Sequence, residues 1–261
     1  MAKRIASLKN DNIKKIVLLR KGRIRREQGL TVIDGVKELQ MAIKANAFLQ
    51  ELYFCKKLCV EGVEELIGQA KNAYEVTDQV FEKISYGEHR DGIVAVVKPK
   101  MITLESIKLP KNALCVVLEG IEKPGNLGAI LRTCDGANVD AVFVCEAKTD
   151  LFNPNTIRSS LGAIFSVPVI MADSKDVLSY LKENKVKVLS ATPDATEAYV
   201  KSNLKQSVAI AMGEEHKGLS DYWLDQSDLQ VSIPMLGWCD SLNVSVATAV
   251  VLYEAVRQRS K

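Results

Sequence analysis

The chain has 261 residues, of which 47% are hydrophobic and 26% charged, and its formal net charge at pH 7 is +3. This composition is typical of a globular protein long enough for two medium-sized domains. No run approaches the roughly 20 apolar residues that a membrane helix requires. The first ten residues also lack the apolar core of an export signal, so we expect a cytoplasmic protein.

The N-terminal segment carries an uneven share of the positive charge. Two acids, Asp11 and Glu27, stand among ten basic residues, which are Lys3, Arg4, Lys9, Lys14, Lys15, Arg20, Lys21, Arg23, Arg25 and Arg26. We call these ten residues the basic arm. Such a cluster neutralises phosphates and predicts salt-dependent binding of nucleic acid. A solvated helix face is the alternative explanation. Because no membrane signal is present, RNA is favoured over a membrane surface.

Neither the cysteines nor the histidines predict a metal site. The six cysteines are scattered, mostly within apolar stretches, as expected of reduced thiols. Cys55 and Cys59 could share a helical face, but no second pair of Cys or His completes a tetrahedral set. His216, one of two histidines, has no flanking acids at ligand spacing and is predicted to be a surface residue.

Predicted helices and short apolar strands alternate in two series. The first runs from a helix over residues 11–26 to an apolar strand at 93–97, followed by a linker with two prolines. The second runs from a strand at 115–120 to a long helix over 242–259. Short, continuously apolar strands between helices indicate a parallel sheet covered on both faces. We therefore predict an α/β protein with domains at residues 1–105 and 106–261.

Three polar segments follow strands of the second series. Ligands in open parallel sheets lie beyond the carboxyl ends of the strands, so these segments are candidate site loops. The first, GIEKPGNLGAILRT, contains Asn126 and Arg132 and lacks the GxGxxG fingerprint of a dinucleotide site. The structural alternatives are a helix cap for Asn126 and an exposed surface charge for Arg132.

The second and third candidate loops combine glycines with hydrogen-bonding side chains. AIAMGEEHKGLS places Glu215 and a second acid between two glycines, and a hydrophilic connecting loop is its structural alternative. IPMLGWCDSLNVS places Ser241 and Asn243 at the start of the last helix. Small residues then follow in that helix and permit close backbone approach. Capping alone would explain Ser241 but not the whole arrangement.

Together, the three segments resemble the motifs of the SpoU (TrmH-like) family of RNA 2′-O-ribose methyltransferases, in the SPOUT superfamily. The matches are NxGAIxRT, then GxExxGLS, then IPMxG with SLNVSxA, in the family's order and spacing. The N-terminal half resembles the family's RNA substrate-binding domain, similar to a ribosomal protein, through SLKNDNIKKIVLL, VIDGVKEL and EHRDGIVAVV. The chain departs from the family at Asp34, where Glu is more usual, and at Glu214, where Ser is common.

The resemblance implies a catalytic α/β domain with a deep trefoil knot, which general folding rules would reject. It also implies S-adenosylmethionine as the cofactor, without a metal. Its implied catalytic residues are Arg132, assisted by Asn126, Glu215, Ser241 and Asn243. Its implied cofactor contacts are Ala191, Thr192, Gly213, Ile233, Leu242, Val244 and Ala247. Because an arginine pKa stays above about 12, phosphate binding and alkoxide stabilisation suit Arg132 better than base catalysis. The proton acceptor remains open.

The resulting hypothesis is methyl transfer to a ribose 2′-hydroxyl, with ribosomal RNA favoured by the accessory domain. The alternatives are the same reaction on transfer RNA, a catalytically silent RNA-binding assembly factor, a nicotinamide enzyme, or a knotted methyltransferase acting on a base nitrogen. A homodimer is also expected, since the apolar residues of the last helix exceed a single stripe. Burial of both helix faces within the same chain is the alternative explanation.

Overall fold

The computed structural model describes residues 2–86 and 91–260, in which strands and helices alternate. In chain order they are β1 (Lys3–Ile5), α1 (Asp11–Leu18), α2 (Gly22–Gln28), β2 (Thr31–Ile33), α3 (Val36–Lys44), β3 (Phe48–Phe54), α4 (Val63–Gln69), β4 (Asn72–Val76), α5 (Asp78–Ile84), β5 (Ile93–Lys98), β6 (Leu114–Glu119), α6 (Pro124–Gly136), β7 (Ala141–Cys145), α7 (Pro154–Ser159), α8 (Ala163–Ser166), β8 (Val169–Met171), α9 (Ser174–Glu183), β9 (Lys187–Ala191), β10 (Val208–Met212), α10 (Asp221–Gln226), β11 (Leu229–Val231) and α11 (Val244–Arg259). None of the helices described is long and apolar enough to cross a membrane.

The chain divides into two compact units. The first comprises Met1–Lys100 and Asp150–Ser166, and the second comprises Met101–Thr149 and Val167–Lys261. The predicted boundary was a single cut after residue 105. The segment between β7 and β8, which holds α7 and α8, instead belongs to the first unit. That unit is therefore built from two separate stretches of sequence.

The first unit contains a mixed five-stranded sheet in the order β1-β4-β3-β5-β2. Strands β1, β4 and β3 are parallel, whereas β5 is antiparallel to both β3 and β2. The helix predicted over residues 11–26 is two helices, because Lys21 adopts an extended conformation between them. Strand β1 and helix α5 were not predicted. The first three residues of the predicted EHRDGIVAVV motif, 88–90, lie outside the described residues.

One member of the basic arm has a structural role. Arg25 is 4% exposed, and its Nε donates to Asp150 Oδ2 at 2.7 Å. Its Nη1 donates to the carbonyl oxygens of Leu19 and Arg20 at 2.7 and 2.9 Å. Arg25 thus holds Asp150 next to α2 within the first unit. The Arg25 side chain is therefore not free to contact a phosphate. The other nine basic-arm residues are exposed.

The second unit contains a six-stranded sheet in the order β11-β9-β10-β6-β7-β8. Every strand pair in it is parallel, as the alternation predicted. Strands β6, β7 and β10 are almost wholly buried, which explains their continuously apolar sequences. Because the strands are parallel, the loops after β6, β7, β9, β10 and β11 emerge at one edge of the sheet. The end of β9, the loops after β9, β10 and β11, and the helices α6 and α11 hold the predicted site residues.

Candidate active site

Asn126 links two of the three motif segments to each other. Helix α6 begins at Pro124, with Lys123 in the capping position, so Asn126 lies in the first turn. Its Nδ2 donates to Glu215 Oε1, and its Oδ1 accepts from Asn243 Nδ2 at 3.3 Å. The structural alternative for Asn126, a helix cap, is therefore wrong. A side chain that follows β6 instead joins side chains that follow β10 and β11.

Asn243 combines a capping role with this network. It is the N-cap of the 16-residue helix α11, and its Oδ1 accepts from the backbone nitrogen of Ser245 at 2.9 Å. The hydroxyl of Ser245 donates to the same oxygen at 2.7 Å. Because these bonds occupy Oδ1, the amide nitrogen is left for Asn126. The start of α11 is thereby joined to the start of α6.

The loop after β10 is a tight turn that requires a glycine. The backbone nitrogens of Glu214 and Gly218 each donate to the other's carbonyl oxygen at 3.1 Å. A Cβ atom on Gly213 would lie 2.0 Å from the carbonyl carbon of Gly218, which is far inside van der Waals contact. The two glycines therefore meet backbone to backbone. This closure fixes where Glu215 leaves the turn toward Asn126.

Sequence reasoning missed Lys148, which lies in the loop after β7 and binds side chains from the loops after β6 and β10. Its Nζ donates to Glu122 Oε1 at 2.7 Å and also to Glu214 Oε2. The hydrogen bonds to the lysine lower the pKa of Glu122, and the two carboxylates raise the pKa of Lys148. The available signal was position, because Lys148 stands three residues beyond the buried strand β7 at the functional edge of the sheet.

Arg132 and Ser241 do not join the Asn126 network. Arg132 lies two turns into α6, is exposed, and its side chain has no hydrogen bond or ion pair with the described residues. This position agrees with the structural alternative for Arg132, which is an exposed surface charge. Ser241 is exposed in the loop before α11, with its hydroxyl 3.4 Å from Asp240 Oδ1.

The predicted surface position of His216 is confirmed, since that residue is exposed. No cluster of three or more His, Cys, Asp or Glu side chains suited to a metal ion occurs among residues 2–86 and 91–260.

The predicted cofactor residues gather at three adjacent strands and one helix start. Ala191 ends β9, Gly213 follows β10, and Ile233 lies two residues beyond β11. These strands are neighbours in the order β11-β9-β10, so the three residues emerge side by side. Leu242 and Val244 flank Asn243, with Leu242 37% exposed and Val244 buried. Thr192 and Ala247 are half-buried.

This set of residues fits S-adenosylmethionine by its donor chemistry. The side chains are small or apolar, and Ala191, Thr192, Ile233 and Ala247 are only partly buried, so a ligand can reach them. Adenine requires an apolar slot with a few backbone hydrogen bonds, which strand ends and glycine turns provide. No charged side chain stands among the seven residues.

Family models and known proteins match the chain over most of its length. The model of the SpoU rRNA Methylase family matches residues 113–253, more than half of the chain, and the MRM3-like substrate binding domain matches residues 10–95. The chain is 34% identical over 240 residues to the 23S rRNA (guanosine-2′-O-)-methyltransferase RlmB of Escherichia coli K12, covering 88% of this chain and 99% of that protein. It is 28% identical over 251 residues to the 23S rRNA (guanosine(2553)-2′-O)-methyltransferase RlmP of Bacillus subtilis, covering 96% and 98%.

A solved structure is similar over the whole length. The AdoMet-bound rRNA methyltransferase from Sinorhizobium meliloti superposes with a TM-score of 0.91 at 26% identity, covering 100% of this chain and 99% of that one. The family match, the relatives and the fold thus define an RNA 2′-O-methyltransferase of the SPOUT class that uses S-adenosylmethionine. The chain belongs to the SpoU rRNA methylase family. The family, enzyme class and cofactor predicted from the three motifs are confirmed.

Proposed function

We propose that this protein transfers the methyl group of S-adenosylmethionine to a ribose 2′-hydroxyl of ribosomal RNA. The observation that carries the proposal is the hydrogen-bonded network of Glu215, Asn126 and Asn243, which unites the three motif segments at one edge of the sheet. Relatives named as 23S rRNA methyltransferases support ribosomal over transfer RNA. The intact network argues against a catalytically silent assembly factor. Action on ribosomal RNA also agrees with the predicted cytoplasmic location.

The chain's residues have to orient the hydroxyl and stabilise its developing charge. S-adenosylmethionine, when bound, supplies a methyl carbon already activated by its sulfonium group. Arg132 is exposed and unpaired among the described residues, so its planar guanidinium is free to hold a substrate phosphate and the developing alkoxide. The amide of Asn126, bound to Glu215, and the amide of Asn243, bound to Asn126, would orient the ribose. Ser241, which is exposed two residues before Asn243, would add a hydroxyl donor.

The cofactor would be held by the seven residues at the ends of β9, β10 and β11 and the start of α11. We further propose that the chain between β9 and α11 forms the deep trefoil knot implied by the family resemblance. Supporting this, β11 pairs with β9, and α11 returns to pack against α6 and β10. A knotted arrangement brings these strand ends and α11 around one ligand.

The reaction is tested with S-adenosylmethionine that carries a tritiated methyl group. The purified protein is incubated with unmodified ribosomal RNA and, separately, with transfer RNA, and the labelled RNA is digested. We expect label in ribosomal RNA, in a dinucleotide resistant to alkali, because a 2′-O-methyl group removes the nucleophile for strand cleavage. Label on a base, or exclusively in transfer RNA, would contradict the proposal.

We propose that the first unit binds the RNA through its exposed basic arm. Changing Lys9, Lys15, Lys21 and Arg26 together to Gln should weaken RNA binding, because all four are exposed and make no ion pair with the described residues. If each of the four contacts a phosphate, the plot of log K against log salt concentration should become shallower, with the magnitude of its slope reduced by about 3. Filter binding at several salt concentrations measures this.

A matched control removes the same charge from the second unit. Lys175, Lys187, Lys201 and Lys205 are also exposed, and changing all four to Gln should leave the salt slope nearly unchanged. An equal decrease in the magnitude of the salt slope in the two variants would show that net charge, rather than the basic arm, governs RNA binding.

We also propose that the protein acts as a homodimer, with α11 at or near the interface. Four apolar residues of α11, Val244, Val251, Leu252 and Ala255, are buried within their own chain, so the same-chain alternative accounts for much of its apolar surface. Val246 and Tyr253 remain 48% and 49% exposed. A second subunit packed on this face would remove them from water.

Light scattering after size exclusion should give a mass near twice 28.7 kDa for the natural chain. Val246→Glu should shift the mass to that of the monomer, because the new charge would be buried against the partner subunit. The variant should stay folded, because Val246 is 48% exposed in the single chain. Val251 is fully buried in its own chain, so Val251→Glu should unfold the protein. A natural chain of monomer mass would contradict the dimer.

A further inference from the structure

Lys148 forms an ion cluster with two glutamates from different loops. Glu122 comes from the loop after β6, Lys148 from the loop after β7, and Glu214 from the turn after β10. The Lys148 Nζ lies 2.7 Å from Glu122 Oε1 and also binds Glu214 Oε2. Three chain segments that are far apart in sequence are thus joined at one ammonium group. We call Glu122, Lys148 and Glu214 the loop clamp.

The clamp differs from ordinary surface pairing at Glu214, although Lys148 and Glu122 are 44% and 45% exposed. The Glu214 side chain is 14% exposed and lies against Gly120, where an added Cβ would be 3.3 Å from Glu214 Oε2. Lys217 is the contrasting case, since it is 83% exposed and its Nζ lies 3.9 Å from the other oxygen of Glu214. Pairs at full exposure contribute little, whereas a carboxylate held between a lysine and a packed backbone is fixed in place.

The charges of the clamp argue against a phosphate site at Lys148. Two carboxylates contact the single ammonium group, so the three side chains sum to one negative charge. Both contacts occupy the ammonium group, so it is not free to bind a phosphate. The lysine is therefore arranged to hold protein groups.

Glu214 directly precedes the acid of the Asn126 network. The turn that holds both residues is closed by the paired backbones of Glu214 and Gly218, and Glu215 leaves it to bind Asn126. Fixing the Glu214 side chain to Lys148 therefore restricts the backbone from which Glu215 extends. A displacement of about 1 Å in a catalytic group can cost a hundredfold in rate.

We propose that Lys148 is a positioning residue, which clamps Glu214 to the loops after β6 and β7 and so aligns Glu215 with Asn126 for methyl transfer. This inference rests on the proposed function.

The test compares Lys148→Met with Lys217→Met in the full-length protein. Lys148→Met should lower kcat for methyl transfer by about 10- to 100-fold, with little change in KM for RNA. Lys217→Met removes the same charge beside the same glutamate and should keep the natural kcat. Lys148→Arg should restore part of the rate, since arginine can still bind both carboxylates. Lys148→Met combined with Glu214→Ser should be no slower than the slower single variant, because both changes break the same contact between Lys148 and Glu214.

A second readout does not depend on catalysis. Amide hydrogen exchange over residues 213–219 should be faster in Lys148→Met than in the natural protein, because that change removes the contact that restrains the turn. In Lys217→Met the exchange rates should equal those of the natural protein. Unchanged amide exchange in Lys148→Met would contradict the positioning role of Lys148. An increased KM for RNA with an unchanged kcat in that variant would contradict it as well. If the natural chain shows no methyl transfer but the exchange difference is present, the proposed function fails while the clamp on Glu214 stands.

Discussion

Replacing Arg132 by lysine should abolish most methyl transfer while leaving the protein folded. Lysine keeps the positive charge but has no planar fork able to hold a phosphate and the developing alkoxide together, so we expect kcat to fall by about 10²- to 10³-fold. Folding should survive because Arg132 is exposed and its side chain binds no described residue. Single-turnover kinetics with labelled S-adenosylmethionine measures the rate, and thermal unfolding measures the stability.

The matched control is Arg257→Lys, the same change on another helix of the second unit. Arg257 is 71% exposed and pairs with Glu254 within α11, so its replacement should leave the rate nearly natural. Cofactor affinity should be unchanged in both variants, because no proposed cofactor contact includes either arginine. If Arg132→Lys turned over at close to the natural rate, the proposed role of Arg132 would be wrong.

Gly213→Ala should disrupt the turn after β10 and, with it, cofactor binding. The added methyl group would lie 2.0 Å from the carbonyl carbon of Gly218 and 2.2 Å from the backbone nitrogen of Leu219. Backbone atoms cannot move aside as a flexible side chain can, so the turn must open, at a cost of about 1–3 kcal/mol. Calorimetric titration with S-adenosylmethionine should show at least a tenfold loss of affinity.

Gly68→Ala provides the contrast, because Gly68 lies on an exposed face of α4 with no atom near its missing side chain. Alanine there should stabilise the protein by about 0.5–1 kcal/mol through its better helix propensity. It should leave cofactor affinity unchanged. If Gly213→Ala bound the cofactor as tightly as Gly68→Ala, the turn would not be part of the cofactor site.

The network at the site was only partly predictable. Asn126, Glu215 and Asn243 were each identified from motif segments, and the parallel sheet implied that their loops share an edge. The alternative role of Asn126 as a helix cap is wrong because Pro124 starts the helix two residues earlier and moves the capping position to Lys123. Lys148 was missed because a single lysine in a polar loop has no pattern, and its meaning depends on two glutamates 26 and 66 residues away.

The sequence by itself determined the α/β class, the parallel direction of the strands in the second unit and the family. These properties follow from local patterns, namely apolar strands between helices and motifs whose residues lie close together along the chain. Only the tertiary structure decided that Asp150–Ser166 belongs to the first unit, that Arg25 is buried against Asp150, and that Lys148 joins three loops. Each of these depends on contacts between residues distant in sequence, and periodicity carries no information about which distant charge a side chain will meet.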